Sequence, residues 1–162
     1  MILFDNPALT RALAIAAAGV VVGVLFSMGG GLNTLIWKYK RDAVAVPKEE
    51  LLPAIVMAFT PVTKVLYAFI VATVLAQRDL ANSGLSIVAT FAGCAFALIA
   101  VVQGAWAAKL INTPTAKEGL IGTFPFKMAM LGSIETLAVF ALVGTLLFAA
   151  RLAAWRLNRP AP

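Results

Sequence analysis

One acidic and one basic residue lie deep inside long apolar runs of this sequence. Glu135 follows Pro125 by about ten residues and Lys64 follows Pro53 by about eleven, so each lies near the middle of its run. An ionised side chain at the centre of a membrane helix costs roughly 2.5–3.5 kcal/mol on insertion scales. Opposite charges at similar depth therefore predict an ion pair in an ion or proton pathway. A purely structural hydrogen bond between helices is the alternative.

Other polar residues accompany this pair at nearly the same depth. Thr63 and Tyr67 lie beside Lys64, Thr60 lies one turn earlier, and Gln103 lies in a different apolar run. Carboxylate, amide and hydroxyl oxygens suit a hard cation or a proton. The sequence therefore predicts one site built from three different runs, with the side chains of Thr63, Lys64, Tyr67, Gln103 and Glu135.

No arrangement of residues typical of an enzyme is present in the sequence. The chain has no histidine and one cysteine, Cys94, which lies in an apolar run and is interpreted as a core residue. The glycines at positions 29–31 are not followed by the Lys-Ser/Thr pair of a phosphate-binding loop. We therefore predict a non-catalytic chain with no cofactor apart from H⁺ or Na⁺ as a transported ion.

The composition indicates that a membrane must surround these residues. Of the 162 residues, 62% are hydrophobic and 12% are charged, whereas a globular domain is about 45–50% apolar and about 25% charged. Soluble enzymes and disordered chains are therefore excluded. The net charge of +6 lies mostly in short loops and at a tail. There, lipid headgroups and topology explain it, so nucleic acid is not an expected partner.

Four apolar runs are long enough to cross a bilayer, which takes roughly 20 helical residues. They cover about 8–37, 53–77, 84–111 and 125–155. The sequence thus predicts an all-α membrane protein with four transmembrane helices in two hairpins, residues 1–80 and 81–162. A shift of 72 residues places Pro53 on Pro125 and Thr73 on Thr145. This similarity indicates a duplicated hairpin.

The basic residues predict how these spans are oriented. Lysine and arginine are slightly more frequent in the loops between the first two and the last two spans than on the opposite side. Because cytoplasmic loops carry the excess of basic residues, we expect both loops in the cytoplasm and both termini outside. The expected location is a bacterial inner membrane.

Small residues recur at a spacing of four in the odd-numbered spans. The first span carries Gly19, Gly23, Ser27 and Gly31, and the third carries a similar face that includes Gly93. Small side chains let two helix backbones approach closely in lipid. We therefore predict that the first and third spans are the close-packing helices, although generic membrane packing would produce either stripe alone.

Three short motifs resemble a known family. Residues 60–69 (TPVTKVLYAF), 102–104 (VQG) and 133–136 (SIET) are similar to the proteolipid (K, or c-type) rotor subunit of V/A-type rotary ATPases, in its duplicated four-helix form. The resemblance implies a homo-oligomeric ring with the first and third helices inside. It also implies a stator membrane subunit with an arginine, central-stalk subunits at the cytoplasmic loops, and membrane lipid as partners.

The same resemblance assigns roles to the polar residues. Glu135 would be the ion-carrying carboxylate, and Tyr67 would hold the site closed. In sodium-type members the metal ligands would be Glu135, Gln103, Thr63 and the backbone oxygen of Thr60.

The chain departs from the family pattern at Lys64, where the family has glutamine. An ammonium beside Glu135 would take the charge role of a bound cation, which favours H⁺ over Na⁺. Two alternatives follow: the Lys64–Glu135 pair is permanent, or it opens and closes during transport. The alternative functions are a small four-helix exporter of drugs or other cations that acts as a dimer, and a membrane assembly factor without transport.

Overall fold

A computed structural model describes residues 7–42, 48–76, 83–113 and 123–157 of the chain. These residues form α1 (Pro7–Asp42), α2 (Lys48–Phe59), a 3₁₀ turn (Thr60–Val62), α3 (Thr63–Ala76), α4 (Ser83–Asn112) and α5 (Phe124–Leu157). Within them, four segments are long and apolar enough to span a membrane: Thr10–Lys38, Glu50–Leu75, Ser86–Asn112 and Phe124–Leu152. The predicted all-α fold with four such segments is confirmed.

The helices extend beyond their apolar segments. α1 continues past Trp37 to Asp42, and α5 continues past Arg151 to Leu157. Lysine and arginine are good helix formers, so a basic segment can end the membrane span without ending the helix. In the loops predicted to meet a central stalk, residues 39–50 and 112–123, positions 43–47 and 114–122 lie outside the described residues.

The second span is divided by a 3₁₀ turn rather than formed by one continuous α-helix. Pro61 has no N–H to donate to the carbonyl of Met57, four residues earlier, and its ring crowds that carbonyl. The Thr60 hydroxyl donates to Met57 O instead, at 2.8 Å, and the Thr63 hydroxyl donates to Thr60 O at 3.0 Å. These side chains compensate for the break, and α3 begins directly beside Lys64.

α1 and α4 form the most extensive helix pair, and α4 also contacts α2, α3 and α5. A Cβ added to Gly104 of α4 would lie 2.8 Å from the Cα of Ser27, and one added to Gly93 would lie 2.6 Å from the Cα of Ala16. Real Cβ atoms do not approach that closely. Glycine is therefore required at both positions for the two backbones to pack as they do.

The core consists of two apolar clusters with a polar layer between them. One cluster includes Val24, Val71, Leu75 and Phe96, and the other includes Met57, Leu110, Ile111 and Leu131. Cys94 is exposed and belongs to neither cluster, so its interpretation as a core residue is wrong. Along their own helices, Lys64, Gln103 and Glu135 each fall between members of the two clusters. The fold therefore positions the polar residues at one level of the bundle.

Two lysines from different helices close the C-terminal end of α4. Lys38 of α1 donates to the carbonyl of Ile111 at 3.1 Å, and Lys127 of α5 donates to the carbonyl of Thr113 at 2.7 Å. The last carbonyls of a helix lack partners within the helix, and cations at that end are favoured by the helix dipole. The lysines satisfy these carbonyls and fix α1 and α5 against α4.

Candidate functional site

The polar layer brings together one residue from each of three helices. Lys64 lies in the first turn of α3, Gln103 in the C-terminal half of α4 and Glu135 in the first half of α5. Lys64 is fully buried and Gln103 is 1% exposed, whereas the Glu135 side chain is 25% exposed. The layer is therefore closed on the α4 side and partly open where α5 carries the carboxylate.

The Lys64 ammonium has an acceptor for each of its three N–H bonds. It donates to Thr63 Oγ1 at 3.0 Å, to Gln103 Oε1 at 2.5 Å, and to Glu135 Oε2, with which it forms an ion pair. A buried charge is tolerated when it is both paired and hydrogen-bonded. Because the count of acceptors matches the count of donors, the ammonium is fully satisfied without water.

The Gln103 amide connects the two charged groups. Its oxygen accepts from Lys64, and its nitrogen donates to Glu135 Oε2 at 3.1 Å and to the carbonyl of Leu131 at 3.4 Å. An amide with its oxygen toward a cation and its nitrogen toward an anion has its orientation fixed by charge. Gln103 of α4 thus links Lys64 of α3 to Glu135 of α5.

The Glu135 carboxylate is bound through one oxygen only. Oε2 accepts from both Lys64 and Gln103, whereas Oε1 is buried and has no hydrogen-bond partner. The phenol of Tyr67 interacts electrostatically with this carboxylate, and its ring lies 6.1 Å from that of Phe96. Oε1 is consequently the atom at which a further donor or a proton could be accommodated.

The two threonines next to the break occupy different places. Thr63 accepts from Lys64 and donates to Thr60 O, so its hydroxyl belongs to the site. The Thr60 side chain bonds to Met57 O, and its own carbonyl is occupied by Thr63. Thr60 therefore supports the turn that presents Lys64 and does not itself reach the ion pair by a hydrogen bond.

The Lys64 ammonium occupies the place where a bound sodium ion would lie, between the oxygen atoms that would be its ligands. Thr63 Oγ1, Gln103 Oε1 and Glu135 Oε2 all face Lys64 Nζ. Among the described residues, no group of three His, Cys, Asp or Glu side chains could hold a metal ion. With Lys64 charged, a sodium ion would have to displace the ammonium to reach these three ligands.

The residues predicted to pack helices fall into two groups. Gly23 lies against Ala97, Gly93 against Ala16, and Gly31 lies against Ala58 of α2. Ser27 is buried against Gly104 and donates to Gly23 O at 2.6 Å. Gly19 differs, because it is exposed and an added side chain there would meet no atom within 4 Å.

No protein-family model, curated protein or solved structure matches this chain. The geometry of the polar layer must therefore be interpreted from its own contacts. Those contacts describe a charge-balanced site between the two apolar clusters of the bundle, with one carboxylate oxygen that has no hydrogen-bond partner.

Two features of the site were missed by the sequence analysis. Gln103 donates to the backbone carbonyl of Leu131, and the sequence gives no sign of this contact because every residue has a backbone carbonyl. The ring contact between Tyr67 and Phe96 joins α3 to α4, and it lies beyond the 3₁₀ turn at Thr60–Val62. Pro61 was the one available signal of that turn, because it disrupts the hydrogen bonds of a helix interior.

Proposed function

We propose that this chain is the rotor-ring subunit of a V/A-type rotary ATPase or ATP synthase. Several copies form a ring in the membrane, and Glu135 carries H⁺ to couple ion flow to ATP hydrolysis or synthesis in a soluble head. The chain has no catalytic role of its own. The observation that best supports this proposal is the half-buried Glu135 side chain, whose carboxylate is bound by Lys64 and Gln103 through one oxygen and has no hydrogen-bond partner at the other.

Charge balance lowers the free-energy cost of moving such a site through lipid. A lone carboxylate in hydrocarbon is expensive, whereas a carboxylate paired with an ammonium, or a protonated carboxyl, is much less so. In the proposed cycle, the Lys64–Glu135 pair opens at the stator, where an arginine competes for the carboxylate. Glu135 releases its proton to one half-channel there and takes up another from a second half-channel, and the uncharged carboxyl then travels with the ring.

The position of Lys64 favours H⁺ over Na⁺ as the transported ion. The three oxygen atoms suited to a small cation already bind the ammonium. A proton needs only one acceptor, and Oε1 of Glu135 is free of hydrogen bonds. Sodium transport would require Lys64 either to lose its charge or to leave the site.

The packing of the helices is compatible with a ring. α1 and α4 approach closely through glycine, alanine and serine, while Lys64 and Glu135 lie on α3 and α5. Helices with small contact residues suit the narrow inner circle of a ring. α3 and α5 would then form the outer circle and present Glu135 to the stator.

The decisive experiment is Glu135→Gln in the assembled complex, with ion pumping and ATP turnover measured together. Glutamine keeps the size of the side chain but cannot bind and release a proton, so we expect pumping to be lost. Glu50→Gln is the matched control, since Glu50 lies at the end of a span and pairs with Lys38 at 3.7 Å. Retained pumping in the Glu135 variant would refute the proposal.

A further inference from the structure

An open cavity lies between the ends of α1 and α4, outside the polar layer. Its volume is about 470 Å³, and it is lined by Asn33, Thr34, Trp37, Lys38, Lys40 and Asn112. The cavity is separate from the polar layer, because Lys64, Gln103 and Glu135 lie at a different level of the bundle. A pocket of roughly 300–1,000 Å³ is large enough for a small ligand or a headgroup.

This cavity lies at the level where the helices leave the membrane. The membrane-spanning part of α1 ends at Lys38, and that of α4 ends at Asn112. Asn33 precedes Lys38 by five residues, about 7.5 Å along a helix. Trp37 is 65% exposed, and tryptophan is enriched at the headgroup level of bilayers. The cavity therefore spans headgroup depth, with its inner end toward the hydrocarbon.

Two lysines give the cavity its charge. Lys38 is half-buried, where it donates to the Ile111 carbonyl and lies 3.7 Å from Glu50, so part of its charge is balanced. Lys40 is exposed and forms no salt bridge with the described part of the chain. Among the described residues that line the cavity, the remaining positive charge is therefore on Lys40, and Asn33 and Asn112 contribute amide groups to the same lining.

We propose that this cavity binds the phosphate headgroup of an anionic phospholipid. Lys40 binds the phosphate, the two asparagine amides hydrogen-bond to headgroup and ester oxygens, and the Trp37 ring packs against the glycerol and the first methylene groups. Basic pockets between membrane helices on the cytoplasmic side are suited to such headgroups. A soluble acidic protein matches less well, because the exposed Trp37 ring lies at the end of a membrane span, where lipid headgroups are the neighbouring anions.

Lipid binding to the full-length chain in detergent tests this proposal. Phosphatidylglycerol is titrated against native mass spectra, with zwitterionic phosphatidylcholine and inorganic phosphate as separate arms. We expect retained phosphatidylglycerol, little phosphatidylcholine, and no displacement of lipid by millimolar phosphate. Quenching by brominated phosphatidylglycerol should fall when Trp37 is replaced by Phe, which assigns the bound lipid to this cavity.

Two exposed cations at opposite ends of α1 provide a matched pair of variants. Lys40→Gln should weaken phosphatidylglycerol binding about fivefold, the effect of one basic residue near an anionic surface. Arg11→Gln removes the same charge from the far end of the helix and should leave binding unchanged. Equal effects of the two variants, equal binding of both lipids, unaltered quenching without Trp37, or displacement by free phosphate would each overturn the proposal.

Discussion

Lys64 serves in this structure as a counter-ion that the chain itself supplies. Its ammonium is fully buried and bonds to oxygen atoms from α3, α4 and α5. Removing one partner of a buried ion pair leaves an uncompensated charge, at about 3–5 kcal/mol. A neutral residue at position 64 should therefore favour the uncharged acid form of Glu135, which tolerates apolar surroundings far better than the carboxylate does.

We expect Lys64→Met to accelerate carbodiimide labelling of Glu135 at neutral pH. Methionine keeps the unbranched shape of lysine without its charge, and carbodiimides react with protonated carboxyl groups. Even about 1.4 kcal/mol of lost pairing corresponds to a tenfold larger protonated fraction, so the rate should rise by about tenfold or more. The measurement is the mass of the intact chain over time.

Lys109→Met provides the control for this labelling experiment. Lys109 is exposed near the end of α4, where its ammonium lies 5.0 Å from the centre of the Trp106 ring. Its removal changes the net charge by the same amount, and we expect labelling at the wild-type rate. If Lys64→Met also labels at that rate, the ammonium does not hold the carboxylate in its ionised form.

Gln103→Leu should destabilise the bundle, because the amide serves both charged groups. Leucine would leave Lys64 with one acceptor fewer and Glu135 with one donor fewer. Leaving one buried polar group unsatisfied costs about 1–3 kcal/mol. Because Lys64 is the fully buried partner and Glu135 is partly exposed, we expect a loss of free energy of unfolding of about that size. Denaturant titration in mild detergent measures it.

Val102→Leu is the neighbouring control for that substitution. Val102 is exposed on α4, one residue from Gln103, and bears no polar group. The free energy of unfolding should change by less than about 0.5 kcal/mol. Equal destabilisation by both variants would mean that Gln103 contributes through its volume and not through its hydrogen bonds.

For individual residues, the sequence predicted which polar side chains lie near each other but not which hydrogen bonds each one forms. Counting residues from Pro53 and Pro125 placed Lys64 and Glu135 at similar depth, because the rise of a helix is fixed. The number of acceptors around the ammonium and the unpaired Oε1 depend on rotamers and on the turn at Pro61. Those details follow from three-dimensional packing, which residue spacing does not encode.

At the scale of helices, glycine determines how closely α1 and α4 approach. Gly93→Ala would bring a Cβ within 2.6 Å of the Ala16 Cα, so the two backbones must separate. Overpacking of this kind costs about 1–3 kcal/mol. We expect a lower free energy of unfolding for this variant, measured by denaturant titration in detergent micelles.

Gly144→Ala separates this steric effect from the helix preference of alanine. A Cβ at Gly144 of α5 would meet no atom within 4 Å. Alanine favours helix by about 0.8–1.0 kcal/mol over glycine in water, so this variant should be neutral or slightly more stable. If both variants lose stability alike, glycine matters for the flexibility of the helices and not for their close contact.

The four spans were predictable because apolar length alone specifies a membrane helix. The small-residue stripes indicated which spans pack closely, but the partner of each glycine required the structure. Gly31 shows the difference, since it lies against Ala58 of α2 and not against α4. The 3₁₀ turn at Thr60–Val62 was also missed, although Pro61 marks the place where the helical hydrogen bonds fail.

At the scale of the whole molecule, much of the outer surface of α3 and α5 is apolar. Phe69, Phe140 and Phe148 are largely exposed there. Lipid or a neighbouring chain can cover such a surface, so exposure alone does not determine the number of copies. The rotor function proposed above predicts more than one copy, because a Glu135 that exchanges its proton at a stator would need a closed circle of identical subunits.

We therefore expect native mass spectrometry of the gently extracted protein to show a high-order oligomer, with a mass that is a multiple of 17.0 kDa well above two. Glu135→Gln should give the same oligomeric mass, because the close packing of α1 against α4 does not involve the carboxylate. A dimer would favour the four-helix exporter, in which two chains enclose one cation pathway. Since the Lys64–Glu135 pair would neutralise that pathway from within a single chain, the ring accounts better for a carboxylate that carries its own counter-ion.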